Sequence, residues 1–199
     1  MEGSLILLWL AALPLMGSPG PATLSIAGVG AAYGVRAGLP FLAGICSGTT
    51  VVLIAVATGV TGLVLSVPAL ANAVTLAAAL YILYLAWRIA TAPVLGDTNA
   101  ETRPPAFINA FLLAIANPKA FAAIGAVFSG HSLMPQDPFL DAGLKVAALI
   151  VVIVTVNVLW LAFGSSFSLL LSNPRAGRIA NIGFAVLLLI SVVLAVWPL

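Results

Sequence analysis

The chain has 199 residues, of which 63% are hydrophobic and only 6% charged, with a formal net charge of +2. Ordinary soluble domains carry roughly 25% charged residues, so this composition cannot furnish a water-facing surface and leaves no room for a soluble catalytic or nucleic-acid-binding domain. The basic residues are scattered between apolar runs and form no continuous patch, and the single cysteine, Cys46, excludes an internal disulfide, a Cys-x-x-Cys pair and a multi-thiolate metal site.

Charge-free stretches cover residues 3–35, 37–87, 146–174 and 179–199, each reaching or exceeding the ~20 apolar residues that cross a bilayer core. Met1-Glu2-Gly3-Ser4 lacks the basic start of a cleaved secretory signal, so the first run is expected to remain as a helix. In chain order the predicted spans are residues 5–32, 39–65, 69–89, 105–128, 144–172 and 179–197. They fall into two groups of three. Residues 91–104 gather Pro93, Gly96, Asp97, Asn99, Glu101, Arg103 and Pro104, an exposed-loop composition, and a second polar break covers residues 130–141. The expected fold is all-α: one polytopic membrane domain of about six transmembrane helices arranged as two three-helix inverted repeats, about 1–92 and 105–199. Arg36, Arg88, Arg103, Arg175 and Arg178 fall on one side of this arrangement and Lys145 on the other. Short cytoplasmic loops are enriched in Lys and Arg, which places the 91–104 loop in the cytoplasm and both chain ends outside. A five-span arrangement with one re-entrant segment would move one terminus across the membrane.

Two interruptions of the helical pattern occupy similar places in the two halves. They are Ser18-Pro19-Gly20-Pro21 in the first span and Asn117-Pro118-Lys119 in the fourth. Proline removes a backbone donor and glycine loosens the chain, so both helices should bend or open. Open backbone is tolerated at membrane depth where it is buried in protein or lines a wet cavity, and paired broken helices in inverted repeats point to a transporter's substrate site. The plainer alternative is two structural kinks without a ligand. Lys119 favours the site, because an intramembrane ammonium costs about 2.5–3.5 kcal/mol on insertion scales and faces a cavity or a partner. No acid lies within the predicted spans, which makes a substrate carboxylate a natural partner; snorkelling to an interface is the alternative. Asn117 offers both donor and acceptor to the other end of a zwitterion.

Other features carry plainer readings. Gly30, Gly34 and Gly38, and separately Gly44 and Gly48, recur at four-residue spacing, which lets helix backbones approach. Such pairs could join helices of one chain or of two, which leaves a homodimer open. Asn157 and Trp160 could line a pathway or serve as packing contacts, and His131 reads as a solvated loop residue. No nucleophile set, phosphate loop, metal cluster or acidic pair can be assembled, so neither an enzyme, a metal site nor a cofactor is expected.

At these motifs the chain resembles the lysine-exporter (LysE/RhtB) family of amino-acid exporters. The resemblance rests on Ser18-Pro19-Gly20-Pro21, Gly34-x-Arg36-Ala37-Gly38, Gly44-x-x-x-Gly48, Tyr81-x-x-Tyr84-Leu85-x-Trp87-Arg88 and Phe107 through Asn117-Pro118-Lys119. It implies a multi-pass secondary carrier of the bacterial inner membrane that expels amino acids or similar small zwitterions, usually driven by the proton gradient. The residues carried over as substrate-binding are Pro19, Gly20, Pro21, Asn117, Pro118 and Lys119. Some family members place an acid after the Gly-x-x-x-Gly pattern, whereas this chain has Thr49 and Thr50; that departure favours a small neutral substrate over a basic one. A metal or inorganic-ion exporter is the alternative on the same fold, and a membrane thiol-redox protein lacks its second cysteine.

Overall fold

A computed structural model describes residues 2–59 and 106–170, with residues 76, 80, 83, 84, 86, 87, 90 and 91 and residues 178, 179, 182, 183, 185–187, 189 and 190. The elements among the described residues are helices: α1 (Glu2–Gly17), α2 (Pro21–Ala57), α3 (Phe107–Ile115), α4 (Pro118–Gly130) and α5 (Pro138–Leu170). Most of the predicted third and sixth spans and of the 91–104 loop, with Arg88, Arg103 and Arg175, lies outside the described residues.

Helix α2 is two helical segments joined at a sharp turn. Gly34 has φ 77° and ψ 174°, a region that side-chain-bearing residues rarely enter. A Cβ placed on Gly38 would lie 3.5 Å from Val29 Cγ1, although nine residues of straight helix span about 13 Å. The chain therefore folds back at Gly34, and Val52 and Leu53 return to share a core cluster with Leu8 and Ala12. Among the described residues Gly34 has no neighbour within 4 Å of its added Cβ. Its expected packing role is thus corrected: the residue serves the turn.

The other spaced glycines do bring helices together. Added Cβ atoms on Gly44 and Gly48 would strike the Phe107 and Phe111 carbonyls of α3, and one on Gly30 would lie 2.5 Å from the Leu161 carbonyl of α5. In lipid there is little hydrophobic drive between apolar helices, so close backbone approach and dispersion contacts hold them. Gly164 does the same from α5, where an added Cβ would strike the Ala27 carbonyl. Leu7, Leu10, Leu159 and Phe163 point outward as an exposed apolar belt suited to acyl chains.

The buried core divides into two clusters. One gathers Leu24, Ile26, Phe41, Ile45, Leu113 and Leu161; the other gathers Leu8, Val52, Leu53, Ile124, Leu149 and Ile153. The chain breaks at 18–20 and 116–117 separate α1 from α2 and α3 from α4, and the α3–α4 pair is bent by 58°. By length and composition Pro21–Ala57, Pro138–Ser166 and the bent pair qualify as membrane-crossing elements.

The loop after α4 is tied down at the start of α5. Asp141 Oδ1 accepts from Ser132 Oγ and the backbone N–H groups of Leu133 and Met134, while its Oδ2 pairs with Lys145 Nζ at 2.9 Å. Lys145 also donates to the Phe128 and His131 carbonyls and sits 4.1 Å from the Phe128 ring centroid. α5 begins six residues before the predicted fifth span, where Asp137 Oδ1 accepts from the backbone N–H groups of Phe139 and Leu140. His131 caps α4, with Nδ1 3.0 Å from the Val127 carbonyl, rather than standing free in solvent.

Candidate functional site

Both breaks begin their second helix in the same way. Pro21 is the first residue of α2 and Pro118 the first of α4, a position where the missing N–H would have had no intrahelical acceptor anyway. The structural counterpart of Pro118 is therefore Pro21. Gly20 and Asn117 occupy the preceding cap positions, and Asn117 Oδ1 accepts from Lys119 N at 3.2 Å. This commits one of the two Asn117 functions to its own helix and leaves the amide N–H groups.

The two breaks meet. Lys119 Nζ reaches across from α4 to donate to the carbonyl of Ser18, and lies 3.3 Å from that of Pro19. Trp160 of α5 donates from Nε1 to the Gly17 carbonyl at 2.9 Å. The Thr23 hydroxyl accepts from Gly20 N at 2.9 Å and lies within 3.3 Å of the Gly20 and Ser18 carbonyls, which share its proton. The open backbone is thus satisfied by side chains from three helices, as nonhelical chain at membrane depth requires. A cation at the carboxyl end of α1 also answers the partial negative charge there.

Gly20 allows this approach. A Cβ at this position would fall 2.6 Å from Lys119 Cδ and 3.1 Å from Nζ. No acid among the described residues pairs with Lys119, and two of its three N–H donors are taken by the carbonyls.

Lys119, Gly20 and Asn117 line a cavity between the two core clusters, together with Thr23, Thr49 and Asn157. Pro19, Pro21 and Pro118 shape the breaks without lining it. The amino-terminal turns of α2 and α4 border the space, and first-turn N–H groups favour negative charge. Lys119 is the only charged residue among the described residues of the lining. The cavity offers about 40 Å³ to the centres of water molecules, room for a few waters at about 10–15 Å³ each and too little for an amino acid.

Asn157, buried on α5, donates from Nδ2 to the Ile153 carbonyl at 2.7 Å, while its Oδ1 has no partner among the described residues. An orphaned buried acceptor costs about 1–3 kcal/mol. The sequence marks Asn157 only as a polar residue in an apolar run. Its place opposite two breaks more than a hundred residues of chain apart emerges only when α5 packs against α1 and α4. Thr49 stands where the family resemblance expects an acid in some members, and the structure puts it in the lining.

Paired broken helices around a cationic pocket in an all-helical membrane domain define a transporter. The LysE type translocator model matches residues 13–196, and the chain belongs to that family. Among its relatives is the cysteine/O-acetylserine efflux protein of Salmonella choleraesuis (strain SC-B67), 33% identical over 172 residues, which are 86% of this chain and 86% of the relative. The protein of the same name from Escherichia coli O1:K1 / APEC is 31% identical over the same shares. No solved structure matches the chain. As a LysE translocator it is a polytopic protein of the bacterial inner membrane and a carrier rather than an enzyme.

Proposed function

We propose that this protein exports small neutral amino acids or their derivatives, of the size of cysteine or O-acetylserine, driven by the proton gradient. The observation that carries the reading is the cavity at the two breaks, whose only formal charge among the described residues is the Lys119 ammonium. Substrate is held between the broken helices while two inverted halves, about 1–92 and 105–199, rock around it. The third N–H of Lys119 and the first-turn amides of α2 receive the carboxylate. The Asn117 amide orients the bound molecule, and Pro19, Gly20, Pro21 and Pro118 keep the helices open. The efflux proteins among the relatives act on cysteine and O-acetylserine by name, which supports a neutral substrate, as does Thr49 in the lining. A metal or inorganic cation is disfavoured, because the charge it would meet has its own sign.

The test is expression in bacteria lacking amino-acid exporters, challenged with a panel of amino acids, dipeptides and metal salts. Relief of growth inhibition by neutral amino acids, with falling intracellular content that a protonophore abolishes, is the expected result. Lys119→Met should abolish that relief while the protein remains in the membrane. Relief by metal salts alone, or undiminished export by Lys119→Met, refutes the reading.

A further inference from the structure

We infer that Asn157 is a substrate-contacting residue, with its side-chain oxygen receiving the ammonium group of the transported zwitterion. The inference rests on the carrier reading above and extends it to the cationic end of the substrate. Asn157 lies in the middle of α5, 5% exposed, in the lining shared by Lys119 and Thr49. Its amide orientation is fixed by the bond from Nδ2 to the Ile153 carbonyl, because the flipped amide would set two oxygens against each other. Among the described residues, its Oδ1 is the one buried side-chain polar atom without a hydrogen-bond partner.

The lining residues Met16, Ala123, Ile124, Ile153 and Val156 carry no side-chain donor, and no donor among the described residues bonds to this acceptor. Native interiors rarely tolerate that without a use for the group. A zwitterion presents the two complements this pocket lacks, an anion for the Lys119 ammonium and an N–H cluster for Asn157 Oδ1. Entry of the substrate must widen the cavity, and the same widening admits a donor to the sealed oxygen. A pocket that holds both ends discriminates against a ligand carrying only the carboxylate, because the orphaned acceptor then stays orphaned.

The test compares L-cysteine with 3-mercaptopropionate, which keeps the carboxylate and thiol and lacks the ammonium. Ligand-induced thermal stabilisation of the detergent-purified full chain gives a half-saturating concentration for each under reducing conditions. Asn157→Leu should raise that concentration at least tenfold for L-cysteine and leave 3-mercaptopropionate unchanged. Asn157→Asp, which keeps an acceptor and adds a charge, should retain L-cysteine binding and weaken that of 3-mercaptopropionate. Equal losses for the two ligands in Asn157→Leu, or unaltered discrimination in Asn157→Asp, would overturn the inference in favour of a structural hydrogen bond. Wild-type protein stabilised by neither L-cysteine nor a wider amino-acid panel would overturn the carrier reading itself.

Discussion

Alanine in place of Gly20 should disable transport without disturbing the fold. Its methyl group would arrive 2.6 Å from Lys119 Cδ and 3.3 Å from Cε, well inside van der Waals contact, so the lysine stem must swing away. The backbone itself accepts alanine, because φ at Gly20 is −172°, extended chain open to any residue, and the nearest atoms the methyl meets belong to one side chain. The swing breaks the bonds from Nζ to the Ser18 and Pro19 carbonyls and moves the cation that lines the pocket. Losing one charge-assisted hydrogen bond in the loaded state costs about 1.5–3 kcal/mol, which corresponds to about a 10- to 100-fold fall in transport at subsaturating substrate. Whole-cell export, normalised to the amount of protein in the membrane, reads this directly. The same substitution in a Lys119→Met background should add less than about twofold, since coupled residues do not sum. Wild-type export by Gly20→Ala, or an equal penalty in both backgrounds, would refute the argument.

Two further substitutions separate bracing from transport. Trp160→Phe keeps the ring packing but strips the Gly17 carbonyl of its donor, a loss of about 1–3 kcal/mol that should lower the melting temperature of the purified protein by several degrees; an unchanged melt would remove Trp160 from the support of the break. Asp141→Asn leaves an acceptor for the 132–134 loop but strands the buried Lys145 ammonium, at a cost of about 3 kcal/mol. Melting should fall, and export per folded molecule should hold because neither residue lines the cavity; a selective fall in export would tie this ion pair to the transport cycle.

The two breaks were legible because proline and glycine act locally: Ser18-Pro19-Gly20-Pro21 and Asn117-Pro118-Lys119 announce a change of backbone wherever they occur. Gly44 and Gly48 were legible as approach points, since four-residue spacing puts them on one helix face. Gly34 shares that spacing and yet makes a turn, because backbone angle leaves no mark on a spacing pattern. The resting partners of Lys119 were not legible either. An absence of acids in the spans suggested an unpaired cation, whereas carbonyls exposed by a distant helix end accept it, and every residue contributes a carbonyl regardless of type. The bond from Trp160 to Gly17 and the orphaned oxygen of Asn157 depend likewise on how α5 lies against α1, a relation spanning most of the chain.

The lysine that rests on Ser18 and Pro19 has a thermodynamic corollary for the transport cycle. If Lys119 receives the substrate carboxylate as proposed, the carboxylate must compete with the Ser18 and Pro19 carbonyls already lodged there, so only the difference between the two attachments appears as affinity. On the proposed reading, that competition lowers the affinity for cargo below what a bare cation would give. In the same proposed cycle, return of the lysine to those carbonyls after discharge would hasten departure of the cargo.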